Sequence, residues 1–125
     1  MKIIGVGCGP GMLTMEAAAA LRRARLIVGS NRAISLVQSE IPHGCIVREI
    51  DDYKALRSLP DEAVILSTGD PMLSGLGYLP GEVIPGISSV QLAAARLHIS
   101  LTGLLVLTAH GRGHTDAIGT AVEEI

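Results

Sequence analysis

The chain has no phenylalanine and no tryptophan, and tyrosine occurs only twice in its 125 residues. This removes the aromatic platforms on which single-stranded nucleic acid stacks. Basic runs are missing as well, and the net charge is -2. Nothing in the sequence is suited to neutralising a phosphate backbone, so no nucleic-acid partner is expected. Cysteine is scarce: Cys8 and Cys45 stand far apart and match no metal-ligand spacing. Two free thiols suit a reducing compartment, and a cytoplasmic location is expected. Lys2 leads into a short apolar run that reaches glycine at once, which reads as no secretory signal. The longest apolar stretch falls far short of the roughly 20 residues of a membrane span, so no membrane partner is expected either.

What is plentiful is small and aliphatic. Almost half of the residues are apolar, at 48%, and 15 are glycine. Val, Ile, Leu and Ala must therefore fill the interior of one domain, or of one domain plus a fragment of another.

Short apolar runs alternate with helical patterns. "MKIIGVG" reads as a strand running into a glycine loop, and "MLTMEAAAALRRA" as a helix with Leu13, Ala17, Ala20 and Leu21 on one face. "RLIVGS" is a second strand, and "NRAISLVQ" a short helix capped by Ser30 or Asn31. "CIVREI" is strand three and "DDYKALRSL" a short helix with Asp early and Arg late. "AVILST" is strand four, "GEVIPG" strand five, and "ISSVQLAAARL" a helix with Val90, Leu92, Ala93 and Leu97 at helical spacing. "GLLVLTA" reads as a sixth strand. The strands are continuous apolar runs, not in/out alternations. The expected fold is α/β, a mainly parallel sheet flanked by helices.

Ligands of such sheets bind outside the carboxyl ends of the strands. The glycine-rich loops all follow strands: Gly5 to Gly11, Gly69 to Gly77, and Pro85-Gly86. In "GVGCGPG", Pro10 stands where a dinucleotide fingerprint needs its last glycine, and strand two ends in Gly29-Ser30 with no ribose-binding acid. It is not a Walker loop, because no Gly-Lys-Ser/Thr follows. A tight strand-to-helix turn without ligand is the plain alternative. "STGDPMLSGLG", from Ser67 to Gly77, places one carboxylate, Asp70, among Gly69, Gly75 and Gly77. Asp70 before Pro71 can form a simple Asx-type turn, or it can hold a polar small molecule. "PGISSV" adds hydroxyls and amides at a helix start, where Ser88 or Ser89 also serves as a cap.

Four stretches carry a family resemblance. "GVGCGPGMLT", "STGDPMLSGLG", "EVIPGISSVQLAAARL" and "TAHGR" at Thr108–Arg112 occur here in an order and spacing that resemble those of the tetrapyrrole methylases. The likeness covers nearly the whole chain, and is closest to the branch that methylates C5 of the precorrin-7 macrocycle in cobalamin biosynthesis. It implies S-adenosylmethionine as methyl donor, with Pro10, Gly69, Asp70, Leu73, Gly75, Ile87 and Ser88 toward the cofactor. Gly7, Gly9, His110 and Arg112 would lie toward a tetrapyrrole substrate. The resemblance further implies a second α/β domain, so residues 1–108 would be the N-terminal domain and 109–125 the crossover and start of a truncated second one. Expected partners are the precorrin substrate, a second copy in a homodimer, and the decarboxylase that methylates C15. Two alternatives stand beside this: a non-catalytic half-domain that binds cofactor or a partner, and a diphthine-synthase-like methyltransferase of the same family. No general base is assigned.

The remaining polar residues have plainer readings. His110 and His114, with Asp116 nearby, lack the further ligands of a metal site, and no metal is expected. His98 is read as a helix-end residue. Cys8 reads as a small residue filling a tight turn, and Arg22, Arg23, Arg25 and Arg32 as a solvated face. An anionic tetrapyrrole would welcome Arg32 or Arg112, but the sequence does not place them.

Overall fold

A computed structural model describes residues 1–107. Strands β1 (Lys2–Gly5), β2 (Leu26–Gly29), β3 (Ile46–Glu49), β4 (Ala63–Ser67) and β5 (Glu82–Ile84) form one five-stranded sheet in the order β3-β2-β4-β1-β5. Every pairing is parallel. Helices α1 (Met15–Arg22), α2 (Asn31–Leu36), α3 (Pro71–Ser74) and α4 (Ser89–Leu97) lie between and after the strands, with 3-10 turns at Gln38–Glu40 and Tyr53–Ser58.

The apolar runs of β1, β2 and β4 are explained by burial on both faces, whereas the outer strand β3 is exposed along its length. Successive strand residues point to opposite sides. Ile4, Ile27, Val64 and Leu66 pack with Ala17, Ala20 and Leu21 of α1 and Ala33 of α2. Ile3, Leu26, Val28 and Ile65 pack on the other face with Leu56 of the 3-10 turn and with Leu76 and Leu79. An interior without large aromatic rings is filled by pressing Ala-rich helices close to the sheet. Leu13 lies just before α1 and packs against the first of these clusters.

Each helix start is set locally. The side chains of Thr14, Ser30 and Ser88 accept from Ala17 N, Ala33 N and Gln91 N, satisfying amides that a helix leaves unpaired. Ser88 and Gln91 form a reciprocal capping box. His98 ends α4 in the left-handed conformation and is exposed.

The structure departs from the sequence reading in four places. Helix α1, expected from Met12, begins at Met15, because Thr14 is extended and caps it, which leaves Leu13 before the helix. Residues 71–74, expected as loop, form the single-turn helix α3. Asp70 caps it, Pro71 opens it with a preset φ, and Gly75 closes it at φ 93. Leu104 to Leu107, expected within a sixth strand, belong to no strand. The amide of Leu104 donates to Leu101 in a turn through Gly103, and the segment reaches no sheet edge with which to pair. An apolar run forms a strand only where a ladder partner is available. The rest of that expected strand, Thr108 and Ala109, lies outside the described residues. Finally, α4 forms where expected but has no buried residue, and Leu97 is 68% exposed. Its apolar spacing is real, but no described element covers it.

Ile65 is fully buried in the central strand, whereas Val47 lies on the exposed outer strand. Ile65→Ala should lower unfolding free energy by about 2–5 kcal/mol. Val47→Ala should lower it by under about 1 kcal/mol. Urea unfolding of the two variants checks this.

Candidate functional site

β1 and β4 are neighbours in the sheet, yet their outgoing connections run in opposite directions, β1 across β4 to β2 and β4 across β1 to β5. A parallel sheet opens a crevice where strand order reverses in this way. The three glycine-rich loops meet there. Gly7 and Gly69 exchange both backbone hydrogen bonds, at 3.2 and 2.8 Å, joining the first loop to the second. The amide of Gly86 donates to Asp70 Oδ1 at 2.9 Å, joining the third loop to the second. The Cys8 thiol donates to the Ile87 carbonyl at 3.4 Å, joining the first loop to the third.

Glycine is required where these backbones touch. A Cβ on Gly86 would stand 2.3 Å from the Gly69 carbonyl oxygen, and one on Gly5 would stand 2.5 Å from Gly86 N. Both obstacles are main chain and cannot turn aside.

Asp70 has a structural role beside any other. Its Oδ2 accepts from Met72 N at 3.0 Å while its Oδ1 holds Gly86. The Asx-type reading is therefore observed, with the added tie to the third loop. Each carboxylate oxygen retains further acceptor capacity. No basic side chain pairs with Asp70 among the described residues.

The other expected site residues fall around this crossing. Gly7 is buried, Gly9 is half-buried and Pro10 is exposed along the first loop. Leu73 is exposed on α3, and Gly75 caps that helix with open space around it. Ile87 is 37% exposed, whereas Ser88 is buried, and its hydroxyl caps α4. His110 and Arg112 lie outside the described residues, as do His114, Asp116 and the proposed second-domain segment 109–125. No cluster of three metal-ligating side chains occurs among the described residues.

Sequence reasoning missed two contacts. Arg32, read as part of a solvated face, donates from Nη2 to the Cys8 carbonyl at 2.8 Å. Its position two residues after the Ser30 cap was the available signal, because the first turn of α2 must lie at this edge. Cys8 is half-buried, as a turn-filling residue should be, but its thiol also bridges two loops.

Two open grooves of about 500 and 270 Å³ lie elsewhere, lined by Arg25, His43 and Cys45, and by Lys2, Asp61 and Glu82. They flank the amino ends of the strands and share no residue with the glycine loops. Burial pushes the Cys45 thiol up and outweighs a contact with the Ile27 backbone that pulls it down.

A profile of the Tetrapyrrole (Corrin/Porphyrin) Methylases matches residues 2–123, and the chain belongs to that family. Particular relatives narrow the likeness. The chain is 34% identical to a probable cobalt-precorrin-7 C(5)-methyltransferase of Methanocaldococcus jannaschii, across 86% of this chain and 59% of that protein. It is 28% identical to a decarboxylating precorrin-6Y C(5,15)-methyltransferase of Sinorhizobium sp, across 90% of this chain and 30% of that one. Among solved structures, the precorrin-6Y methylase of Archaeoglobus fulgidus superposes with a TM-score of 0.77 at 31% identity, over 90% of this chain and 65% of that chain. The chain thus spans less than two thirds of each of these proteins.

Gly86→Ala should destabilise the fold by about 1–3 kcal/mol or more, because the backbones must part to admit a methyl group. Asp70→Ala should lose about 1–3 kcal/mol by leaving the Gly86 amide unpaired. Thermal unfolding of both variants beside the wild type measures these losses.

Proposed function

We propose that this chain holds S-adenosylmethionine at the carboxyl edge of its sheet and takes part in methyl transfer to C5 of a precorrin or cobalt-precorrin in cobalamin biosynthesis. The observation that carries this is the crossing of three glycine-rich loops around one carboxylate, Asp70, that pairs with no described cation. That carboxylate suits a sulfonium or an ammonium. The names of the relatives support the choice of macrocycle and of carbon.

Bound there, the cofactor would supply an electrophilic methyl group on sulfur. The chain's own contribution is to position and to exclude water, which can account for much of the rate of an in-line transfer. Gly69, Asp70, Gly75 and Ile87 present backbone groups and one carboxylate, Pro10 and Leu73 add apolar surface, and Ser88 fixes the start of α4. Gly7 and Gly9 form the substrate side of the first loop, joined in this proposal by His110 and Arg112. No side chain need act as a general base.

The proposal includes partners. α4 has no buried residue, and Leu105, at 63% exposure, lies in an uncovered apolar run beyond it. Apolar patches of this kind mark interaction surfaces. We place a second copy or the C15-methylating decarboxylase among the candidates to cover it. The free thiols of Cys8 and Cys45 support a cytoplasmic location.

Calorimetry with S-adenosylhomocysteine tests the reading, on this chain alone and on this chain supplied with the C-terminal part of the archaeal relative. Binding is expected in the second case at least, and Asp70→Ala should weaken it by about 1–3 kcal/mol, the range for a lost charged hydrogen bond. No binding in either case would overturn the proposal. Binding without methyl transfer to the macrocycle would favour the non-catalytic half-domain.

A further inference from the structure

Three charged side chains at the carboxyl edge have different tasks. Asp52, after β3, caps the Tyr53–Ser58 turn by accepting from Lys54 N. Asp70, after β4, joins two loops. Arg32, after β2, is the charged side chain that touches the first glycine loop among the described residues. It is exposed, and it forms no ion pair with a described carboxylate. By contrast, Arg22 on the same face of the sheet is paired with Glu40 at 2.8 Å.

The geometry of Arg32 goes beyond a solvated cation. Its Nη2 donates to the Cys8 carbonyl at 2.8 Å, which anchors a long side chain that would otherwise be free to move. Ser30 caps the turn that carries it, and Ala33 beside it is buried in the core, so its base is held too. A guanidinium has five N–H donors in a planar fork, and a single contact leaves the others available. An anchored, unpaired guanidinium at the mouth of a crevice is an arrangement that recognises a carboxylate in two-point fashion. The cofactor reading places the positive sulfonium beside Asp70 and offers Arg32 at most the single carboxylate of the cofactor's amino-acid end. A substrate ringed by carboxylates offers several, and the parallel measurement with the cofactor analogue separates the two.

We propose that Arg32 binds a carboxylate side chain of the tetrapyrrole and so determines how an anionic macrocycle sits against the Gly7–Gly9 loop. This rests on the function proposed above. The bond to Cys8 sets the guanidinium over that loop, and the carboxylate takes the remaining donors. No covalent step is assigned to Arg32. It would act on orientation and on selection for anionic over neutral or cationic macrocycles.

The test uses the whole chain and two porphyrin probes. One is uroporphyrin, which bears carboxylate side chains on every pyrrole. The other is a porphyrin whose arms are cationic N-methylpyridyl groups. Binding is followed by the shift of the porphyrin absorption band at low and moderate salt, and S-adenosylhomocysteine binding is measured in parallel by calorimetry. Arg32→Gln should weaken uroporphyrin about tenfold and flatten its salt dependence. Arg32→Lys should recover part of that loss, because it keeps the charge but not the fork. Arg48→Gln, an equal charge change on the outer strand, should leave uroporphyrin binding unaltered. The cofactor analogue should not respond to Arg32→Gln, and the cationic porphyrin should bind no more weakly than to the wild type.

Uroporphyrin bound equally tightly by wild type and Arg32→Gln would overturn the assignment while leaving the cofactor reading intact. Equal losses for uroporphyrin and the cofactor analogue would also overturn it, because Arg32 would then only order the loop. A wild-type chain that binds the analogue but not uroporphyrin sinks this inference alone. One that binds neither, with or without the C-terminal part of the archaeal relative, sinks the functional reading as well.

Discussion

The candidate site depends on the close approach of three backbones. Gly5 at the end of β1, Gly69 after β4 and Gly86 after β5 lie so near one another that a single methyl group between them would meet main-chain atoms. Main chain cannot rotate out of the way, so the approach is sterically all or nothing. Once it is made, hydrogen bonds follow between Gly7 and Gly69, and between Gly86 and Asp70. The crevice at the strand-order reversal then becomes a surface of ordered carbonyls and amides, not a gap between mobile loops.

That surface is consistent with the proposed function. Methyl transfer from a sulfonium would need two reactants aligned and water kept away, and no proton relay of the kind that hydrolysis requires. A site assembled from main chain is rigid without many functional groups. Its specificity must then come from the few side chains at its rim. Asp70 combines two tasks, since the same carboxylate that ties Gly86 also brings negative charge to the crevice. In the proposed function, structure and binding at this residue are coupled, and substitutions there would move both.

The composition and the architecture are consistent with each other. A core made from Ala, Val, Ile and Leu suits a sheet buried on both faces, because small helix residues such as Ala17, Ala20 and Ala33 let helices lie close against β-branched strands. The balance changes after β5. α4 is held by its cap and by local helix preference, but its apolar side chains are not in the core. The same is true of Leu104 to Leu107, all of them exposed. These residues are patterned for burial, yet no described element covers them.

Much of this was determined by the sequence alone. The order of strands and helices, the parallel sheet and the caps at Ser30 and Ser88 follow from local patterns acting over a few residues. So does α3, whose Asp-Pro start and Gly end were legible in "DPMLSG" even though the stretch reads as a loop on glycine content. Periodicity reports the face on which a residue wants to be buried, and capping reports where a helix begins; neither needs distant contacts. Tertiary structure decided the rest, because it depends on residues far apart in the chain. Only the fold brings the Gly86 amide to Asp70, the Cys8 thiol to the carbonyl of Ile87, and Arg32 to the first loop. Only the fold shows that, among the described residues, the run at Leu104 pairs with no strand and α4 buries no side chain in the core. An apolar pattern states a requirement for burial, and whether a partner surface is present is a property of the assembled structure.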